Sequence, residues 1–539
     1  MPYAPFEKRA FIGRMADWSA RAEQYRERMR NRPAAVTNEA FTFTAEDTEG
    51  FNLVDTQKAM PQPGWDRGMR GRGRGRFGGR FGGRGGGKGG AQPMGAEAKF
   101  NAKFNAKKAP QAPVSKWKKN QAANFANRWN EQKQPRVRES AVDVRPEWTV
   151  RGQITFQELA KMTMDVPDSA EVHSCGTVSY YDKQYDRCTP KSDKKLERVE
   201  ERAFYKVSTS DDPIIARLHD EPAHSKVRVF ATDAILAVLM AAGRSSYSWD
   251  IVVNRVGDKL FLDKRADAPI DYVTCNETAH DTGDEDRDSM NHPAKLMQEA
   301  TFINQNFSQQ VLSKTDEPLK FTDPKNPFAE GSEDVPAPVG YKYRVFKLGK
   351  APKGDEADSR LQLLCRTEID GVIKGKNEAD PDLLMRLYAL NETDAKLVAG
   401  GIDWRQKLES QRGAVLATEL KNNSNKLAKW TLQAMLAGVD LIKLGYVSRN
   451  HVRDSFNHVI LGTQSYKPKE FATHINLNVN NSWGILKAVI DLCLQLEEGK
   501  YLLLKDPNKH VIRFFAIPPD AFEEPEEVGL EEGEGEEED

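Results

Sequence analysis

The sequence predicts an α+β fold for the central part of the chain, with mixed sheets, packed helices and a disordered tail on each side. Short apolar runs bounded by turn residues, such as 361–365 and 441–447, are typical of buried strands. Longer runs with helical periodicity, such as 426–438 and 483–496, lie between and after them. Because strands and helices are mixed along the chain, both α+β and α/β folds fit the pattern, and we expect α+β.

Local signals predict the other elements. Residues 227–230 predict a strand, and the apolar run 234–242 predicts a helix that Thr232 or Asp233 caps and Gly243 ends. The remaining predicted elements are a hairpin of 248–253 and 259–262, a helix at 299–307, a strand at 341–346 and a final hairpin of 501–504 and 511–517.

Charge is distributed unevenly along the 539 residues. The 79 Lys and Arg residues nearly balance the 80 Asp and Glu residues, which gives a formal net charge of -1. Residues 65–138 are nevertheless almost free of acids, whereas 523–539 are almost all Glu with Gly and Pro. Opposite charge blocks predict two distinct partners, or shielding of one block by the other.

The cysteine pattern argues against a zinc site or a disulfide framework, because the 5 cysteines form no C-x-x-C pair and their number is odd. We expect buried, reduced thiols. No apolar run approaches the length of a membrane span, and the N-terminus lacks a hydrophobic signal core. These features predict a soluble cytoplasmic protein with no membrane partner.

Four segments are predicted. Residues 1–66 are polar with isolated aromatics and predict an extended partner-binding segment, the alternative being a plain disordered leader. Residues 67–141 form a basic Arg-Gly-rich linker with interleaved Phe, which suits RNA or serves only as a solubilising linker. Residues 142–519 are the predicted folded domain, and 520–539 are an acidic disordered tail.

Two acidic motifs stand at the ends of apolar runs. Glu368-Ile369-Asp370 follows 361–365, and Glu419-Leu420-Lys421 follows 413–418, which we also interpret as a strand. Side chains alternate along a strand, so three carboxylates and an ammonium would converge at one sheet edge. That arrangement is typical of a metal-dependent phosphodiester site. The alternative is that these are ordinary charges at strand ends.

The order of E-x-K motif, helix and strand, with Lys426-Leu427-Ala428-Lys429-Trp430 in the helix, resembles the decapping exoribonuclease (DXO) family. Longer strings resemble a second family, that of the d-type subunits of eukaryotic translation initiation factor 3. They are 247–253, 403–408, 411–415, 444–449 and 497–501, together with the start region at 1–2, Trp65-Asp66 and the acidic tail.

A cap-binding site is implied by this resemblance. A methylated cap needs an aromatic ring for stacking, a carboxylate or amide at the base edge, and donors toward its phosphates. The implied cap-binding and RNA-binding residues are Asp233, Ser246, Tyr247, Thr301, Asn304 and Gln305. The last three share one helical face by their spacing. Without the resemblance, Asp233 is an ordinary helix cap and Tyr247 a packed ring.

The resemblance also implies an RNA gate at 269–283, which covers the RNA channel. Its residues are Asp271, Tyr272, Glu277 and Asp281. Carboxylates on a mobile loop would repel phosphates and compete for a basic groove. The alternative is an inert surface loop.

The resulting hypothesis is a non-enzymatic, cofactor-free component of translation initiation factor 3 that binds the cap of a subset of mRNAs. Its expected partners are the other subunits of that factor, especially the e-type subunit, the 40S ribosomal subunit and capped mRNA. One alternative is a metal-dependent decapping hydrolase that uses Glu368, Asp370, Glu419 and Lys421, with Asp250 as a further carboxylate. Without catalysis, these carboxylates could still hold residual Mg²⁺ that takes part in phosphate binding. The other is a pure scaffold.

Overall fold

The computed structural model describes residues 138–522, except for 168, 200–201, 267, 280–285, 287, 330–334, 353–357, 376, 378–379 and 395–400. The predicted segment 1–66, nearly all of the basic segment 67–141 and most of the acidic tail 520–539 therefore lie outside the described residues.

The helices and strands of the described residues are as follows. The strands are β1 Thr149–Thr155, β2 Ser169–Val178, β3 Lys194–Lys195, β4 Arg202–Ala203, β5 Val227–Thr232, β6 Asp250–Val256, β7 Lys259–Asp263, β8 Leu319–Lys320, β9 Val335–Pro336, β10 Gly340–Leu348, β11 Leu361–Ile369, β12 Gly371–Ile373, β13 Leu383–Asn391, β14 Leu441–Arg449, β15 His458–Tyr466, β16 Gly499–Lys505 and β17 Val511–Ile517. The helices are α1 Phe156–Leu159, α2 Pro213–Asp220, α3 Asp233–Met240, α4 Pro293–Gln310, α5 Trp404–Lys407, α6 Arg412–Asn422, α7 Ser424–Ala437, α8 Pro468–His474 and α9 Val479–Gln495.

Two mixed sheets dominate the fold, which confirms the predicted α+β class. The larger sheet has the order β1-β17-β16-β6-β7-β5-β11-β10-β2-β8, in which β5 runs parallel to both β7 and β11. The second sheet has the order β12-β13-β14-β15-β3, in which β13 and β14 are parallel. Strands β4 and β9 form a small parallel pair.

The main core contains side chains of both sheets and of helices α3, α7 and α9. Helix α3 is apolar on every side after Asp233 and is almost wholly buried, as expected of a core helix. Helix α7 ends at Gly438, whose φ of 66° lies in the left-handed region that glycine tolerates best. The predicted ending of this helix is confirmed.

Strand β13 is buried on both faces. Leu387 and Ala389 pack with residues of helix α4, whereas Tyr388 and Leu390 belong to the main core, where Tyr388 stacks on Trp430 with ring centroids 4.6 Å apart. Because side chains alternate along a strand, Arg386 lies on the same face of β13 as Tyr388. A charged side chain is thereby placed at the interior face of the second sheet.

The chain passes from the first sheet to the second at Asp370. Strand β11 ends at Ile369, and β12 starts the second sheet at Gly371. Since β5 and β11 are parallel neighbours, their carboxyl ends meet at the same sheet edge, where Asp233 begins helix α3. Carboxylates from three points of the sequence are thus brought to the junction of the two sheets.

Most of the predicted elements are confirmed, including the β6–β7 and β16–β17 hairpins and strands β5, β10 and β14. The predicted helix 299–307 belongs to the longer α4, and Thr232 stands at the N-cap of α3 without a side-chain capping bond. The five cysteines are buried and form no disulfide. None of the helices within the described ranges combines the length and apolar content needed to cross a membrane.

The predicted strand at 413–418 is wrong, because these residues lie in helix α6. Val415 and Glu419 are buried one helical turn apart, so burial follows a helical period. In a helix, positions two apart do not share a face. Glu419 is accordingly 6% exposed, whereas Lys421 is exposed to solvent.

Burial governs the titration of Glu419. Burial raises the pKa of its carboxyl from 4.5 to about 7, although Lys426 and a 2.8 Å hydrogen bond from Asn423 Nδ2 favour the ionised form. A carboxyl whose pKa is higher in the folded state stabilises most below pH 4.5, and this contribution is lost as the pH rises toward about 7.

We therefore expect Glu419→Gln to raise the free energy of unfolding at about pH 8 by roughly 1 to 3 kcal/mol, because the amide needs no ionisation and still accepts the Asn423 bond. Chemical denaturation across the pH range tests this, with the exposed Glu498→Gln as control. A constant difference between Glu419→Gln and the wild type at all pH values would contradict the expectation.

Candidate functional site

The acidic groups of the predicted metal site do not converge. Asp250 is fully buried and forms its own ion pair with Arg265, with Nε–Oδ2 and Nη2–Oδ1 distances of 2.5 and 2.8 Å. Glu419 interacts with Lys426, whose Nζ donates to Asn391 at 3.5 Å. Asn391 is five residues beyond Arg386 on β13, which corresponds to about 16 Å along the strand. Only Glu368 and Asp370 of the predicted set lie together.

The guanidinium of Arg386 lies between the carboxylates of Glu368 and Asp370 and a third carboxylate, that of Asp233. Arg386 Nη1 lies 3.2 Å from Asp233 Oδ2, Nη2 lies 3.3 Å from Glu368 Oε2, and Nε lies 3.0 Å from Asp370 Oδ2. Nη1 also donates to the Glu368 carbonyl oxygen at 2.6 Å. Lys206 Nζ reaches Glu368 Oε2 at 3.2 Å from the outer side. We call these five residues the Arg386 cluster.

Backbone N–H groups also donate hydrogen bonds to two of these carboxylates. The Glu368 N–H donates to Asp233 Oδ2 at 3.2 Å, and the Leu387 N–H donates to Asp370 Oδ2 at 2.8 Å. Arg386 itself is 4% exposed. The carboxylates are thus oriented toward a cation supplied by the chain, with little freedom to rearrange.

The three carboxylates differ in their titration. Burial would raise the pKa of Glu368, but Lys206 and Arg386 outweigh it and hold that pKa low. Burial raises the pKa of Asp233 and of Asp370 despite the favourable charge of Arg386. The Arg386 guanidinium stays protonated, since the surrounding acids raise its pKa further. The cluster therefore places three carboxylates around a permanent guanidinium cation, with Lys206 as a second positive charge.

The Arg386 cluster does not fit a divalent metal ion. Carboxylate oxygens are the ligands that Mg²⁺ and Ca²⁺ prefer, but here they face a guanidinium that occupies the position between them. In the described part of the chain, no group of three or more His, Cys, Asp or Glu side chains has an arrangement that could hold a metal ion. The predicted hydrolytic centre is consequently replaced by an internal ion-pair network.

A small cavity adjoins Lys206 and Glu368 of the Arg386 cluster. A cavity of about 20 Å³ is lined by residues that include Tyr205, Lys206, Tyr341 and Glu368. A cavity of this size holds about one water molecule. The β4–β9 pair lies at its rim, through Ala203 and the adjoining Ala337.

Five of the six residues implied in cap binding occupy two places. Ser246 and Tyr247 precede β6, and Thr301, Asn304 and Gln305 lie on helix α4. Thr301 Oγ1 donates to the Met297 carbonyl oxygen at 2.8 Å, and Asn304 Oδ1 accepts from the Ala389 N–H at 3.0 Å. The sixth residue, Asp233, belongs to the Arg386 cluster.

The segment implied as the RNA gate contacts both places. The Val273 N–H donates to Thr301 Oγ1 at 2.9 Å, and Glu277 Oε1 accepts from the backbone N–H groups of Ser246 and Tyr247 at 2.8 and 3.1 Å. Segment 271–279 therefore links the two sets of residues implied in cap binding.

Two acids of this segment, Asp271 and Glu277, are buried in this structure. The Asp271 side chain is 5% exposed and paired with Lys264, and Glu277 is 1% exposed. The mobility of the loop stays a prediction. Both carboxylates are buried because donors of the folded domain satisfy them. Tyr272 is half-buried, and Asp281 lies outside the described residues.

Sequence reasoning missed Arg386 and Lys206. The signal for Arg386 was an arginine in the interior of the otherwise apolar run Leu383–Asn391. A buried arginine requires carboxylate partners, so this position predicts an ion-pair network. Lys206 offered no comparable signal, because it lies in an irregular segment.

Comparisons with known proteins fit this domain. The profile of the family described as "Eukaryotic translation initiation factor 3 subunit 7 (eIF-3)" matches residues 1–516. The D-type subunit of eukaryotic translation initiation factor 3 from Aedes aegypti is 44% identical over 536 residues, covering 97% of this chain and 80% of that protein. Its Homo sapiens counterpart is 44% identical over 528 residues, covering 97% of this chain and 91% of its own length.

A solved structure is also similar. Scheffersomyces stipitis Rai1 in complex with (3′-NADP)⁺ and calcium ion has a TM-score of 0.42 and 16% identity, covering 69% of this chain and 94% of that one. The family profile and the curated relatives span nearly the whole chain. The chain therefore belongs to the family of D-type subunits of eukaryotic translation initiation factor 3.

Proposed function

We propose that this chain is the mRNA cap-binding subunit of translation initiation factor 3, which holds the 5′ cap of a subset of cytoplasmic mRNAs without cleaving it. The observation that supports this most strongly is the position of Arg386 between the carboxylates of Asp233, Glu368 and Asp370. A guanidinium cannot ionise a bound water for attack on a phosphate, as a hydrated divalent ion does. The position of Arg386 therefore supports the non-cleaving part of the proposal.

The cap would bind between helix α4 and the segment before β6. Thr301, Asn304 and Gln305 would supply hydroxyl and amide groups to the base edge, and Tyr247 would supply an aromatic face. Ser246 would offer its backbone N–H to the phosphates. Asp233 would contribute indirectly. Its carboxylate accepts hydrogen bonds from Arg386 and from the Glu368 N–H at the end of β11, and so holds both in place.

Segment 269–283 would act as the RNA gate. Its bonds to Thr301 and to the Ser246 and Tyr247 N–H groups engage the donors and acceptors that a cap would need. Cap binding would then require this segment to move, which makes binding depend on a conformational equilibrium. No cofactor enters the proposal.

We expect Thr301→Ala combined with Asn304→Ala to weaken binding of capped RNA about tenfold or more, while binding of the same RNA without a cap stays unchanged. Fluorescence anisotropy with the full-length protein measures both affinities, and thermal unfolding verifies the fold. Thr418→Ala is a matched control, since Thr418 makes the same bond to the carbonyl oxygen four residues earlier as Thr301 does. Equal wild-type affinity for capped and uncapped RNA would contradict cap binding, and cleavage would favour a hydrolase.

The N-terminal segment 1–66 is proposed to bind the e-type subunit and other subunits of the factor, and to contact the 40S ribosomal subunit. Its isolated aromatic residues suit insertion into a partner surface. Deletion of 1–66 is expected to abolish co-purification with the initiation factor and to leave cap affinity unchanged, with deletion of 523–539 as the control. Loss of both properties together would refute this division.

A further inference from the structure

Glu277 is a buried carboxylate surrounded by donors that commonly bind phosphate. Its Oε1 accepts from the Ser246 N–H at 2.8 Å and from the Tyr247 N–H at 3.1 Å. Asn425 Nδ2 lies 3.1 Å from Oε1 and 3.0 Å from Oε2, and Ser245 Oγ lies 3.4 Å from Oε1. We call the two backbone N–H groups and the Asn425 amide the Glu277 nest. Consecutive N–H groups that point at one anion form a typical phosphate-binding arrangement.

Positive charge surrounds this nest. Lys505 is 2% exposed, and its Nζ donates to the Ser246 carbonyl oxygen at 2.9 Å. Burial lowers the pKa of Lys505 to about 8, and Glu277 favours its charged form. Burial also lowers the pKa of Lys429, on helix α7, where Glu277 again favours the charged form. Two lysines thus lie within electrostatic reach of one carboxylate, and a phosphate group would complement them more fully.

Asn276 and Thr278, on either side of Glu277, are held by bonds between neutral groups. The Asn276 N–H donates to Asn423 Oδ1 at 2.8 Å, and Asn276 Nδ2 donates to Thr393 Oγ1 at 3.0 Å. Thr278 Oγ1 donates to the Lys421 carbonyl oxygen at 2.7 Å and accepts from the Ser424 N–H at 3.1 Å. Among the described residues of 272–279, Glu277 is the one carboxylate, so an anion at the nest would compete with this side chain specifically.

We propose that the Glu277 nest is a phosphate subsite for the 5′ phosphates of capped RNA, and that Glu277 occupies it as an internal phosphate mimic until RNA displaces it. This inference rests on the proposed function, because it assigns the phosphates of the cap to a particular group of donors. It also identifies the atoms through which closing of the gate and binding of RNA exclude each other.

Three probes test the proposal on the full-length protein. Inorganic tripolyphosphate carries phosphates without a base, 7-methylguanosine carries the base without phosphates, and the dinucleotide cap analogue m7GpppG carries both. We expect Glu277→Ala to tighten binding of tripolyphosphate and m7GpppG about tenfold or more and to leave 7-methylguanosine unchanged, because an internal competitor for the phosphates has been removed. Calorimetry measures the three affinities.

Two further variants make the result specific. Glu277→Gln preserves the size of the side chain and one acceptor oxygen, so it should show a smaller gain in the same direction even if the alanine variant folds poorly. Asp271→Asn is the matched control, since Asp271 is the other buried acid among the described residues of the gate and pairs with Lys264. Asn425→Leu in the Glu277→Gln background should remove the gain.

The outcomes distinguish failure of the phosphate subsite from failure of cap binding. Unchanged affinity for tripolyphosphate in both Glu277 variants overturns the inference, as does an equal gain in Asp271→Asn, which would indicate general loosening of the gate. A gain for tripolyphosphate without measurable binding of m7GpppG or 7-methylguanosine would support the subsite and refute cap binding. Binding of 7-methylguanosine, with no effect of the Glu277 substitutions on the affinity for tripolyphosphate, would support cap binding and refute the phosphate subsite.

Discussion

The ion pairs of Arg386 are the interaction on which the arrangement of this domain depends. Arg386 comes from the second sheet, whereas Asp233 and Glu368 come from the first, and Asp370 is the residue at which the chain passes between them. Charges removed from water cost several kcal/mol each unless they are paired with good geometry, so neither sheet can keep its charged groups without the other. The same contacts that join the sheets also engage Glu368 and Asp370, two of the carboxylates that the sequence predicts as metal ligands.

Several elements meet at the junction of the two sheets. Helix α3 starts there, β11 ends there, and helix α4 packs against β13 on the opposite face of the second sheet. Of the proposed cap-binding residues, Asp233 lies at this junction, and the gate segment bonds to the other two groups through Val273 and Glu277. In the proposed function, the ion-pair network keeps Glu368 and Asp370 engaged by a cation of the chain, and the gate segment is a cover that RNA would displace.

The sequence was sufficient for the main elements and for Glu368 and Asp370 of the Arg386 cluster. Strands and helices with strong periodicity, such as β14, α7 and α9, were predictable because burial on one face determines their pattern. Glu368 and Asp370 were predictable as a pair, because side chains two positions apart at a strand end lie on the same face. The run at 413–418 was not, because a short apolar run fits a buried strand and a buried helix equally well. The partners of Arg386 and of Glu277 are distant in sequence and become neighbours only through the order of the strands.

The most direct test of the central claim, that Arg386 takes the place of a divalent cation, is a titration of the full-length protein with Mn²⁺ followed by electron paramagnetic resonance. The wild type is compared with a Glu368→Gln, Asp370→Asn double variant whose fold is verified by thermal unfolding. The account predicts identical binding isotherms, because the carboxylates are already engaged by the guanidinium. A saturable, stoichiometric Mn²⁺ site present in the wild type and lost in the double variant would contradict it.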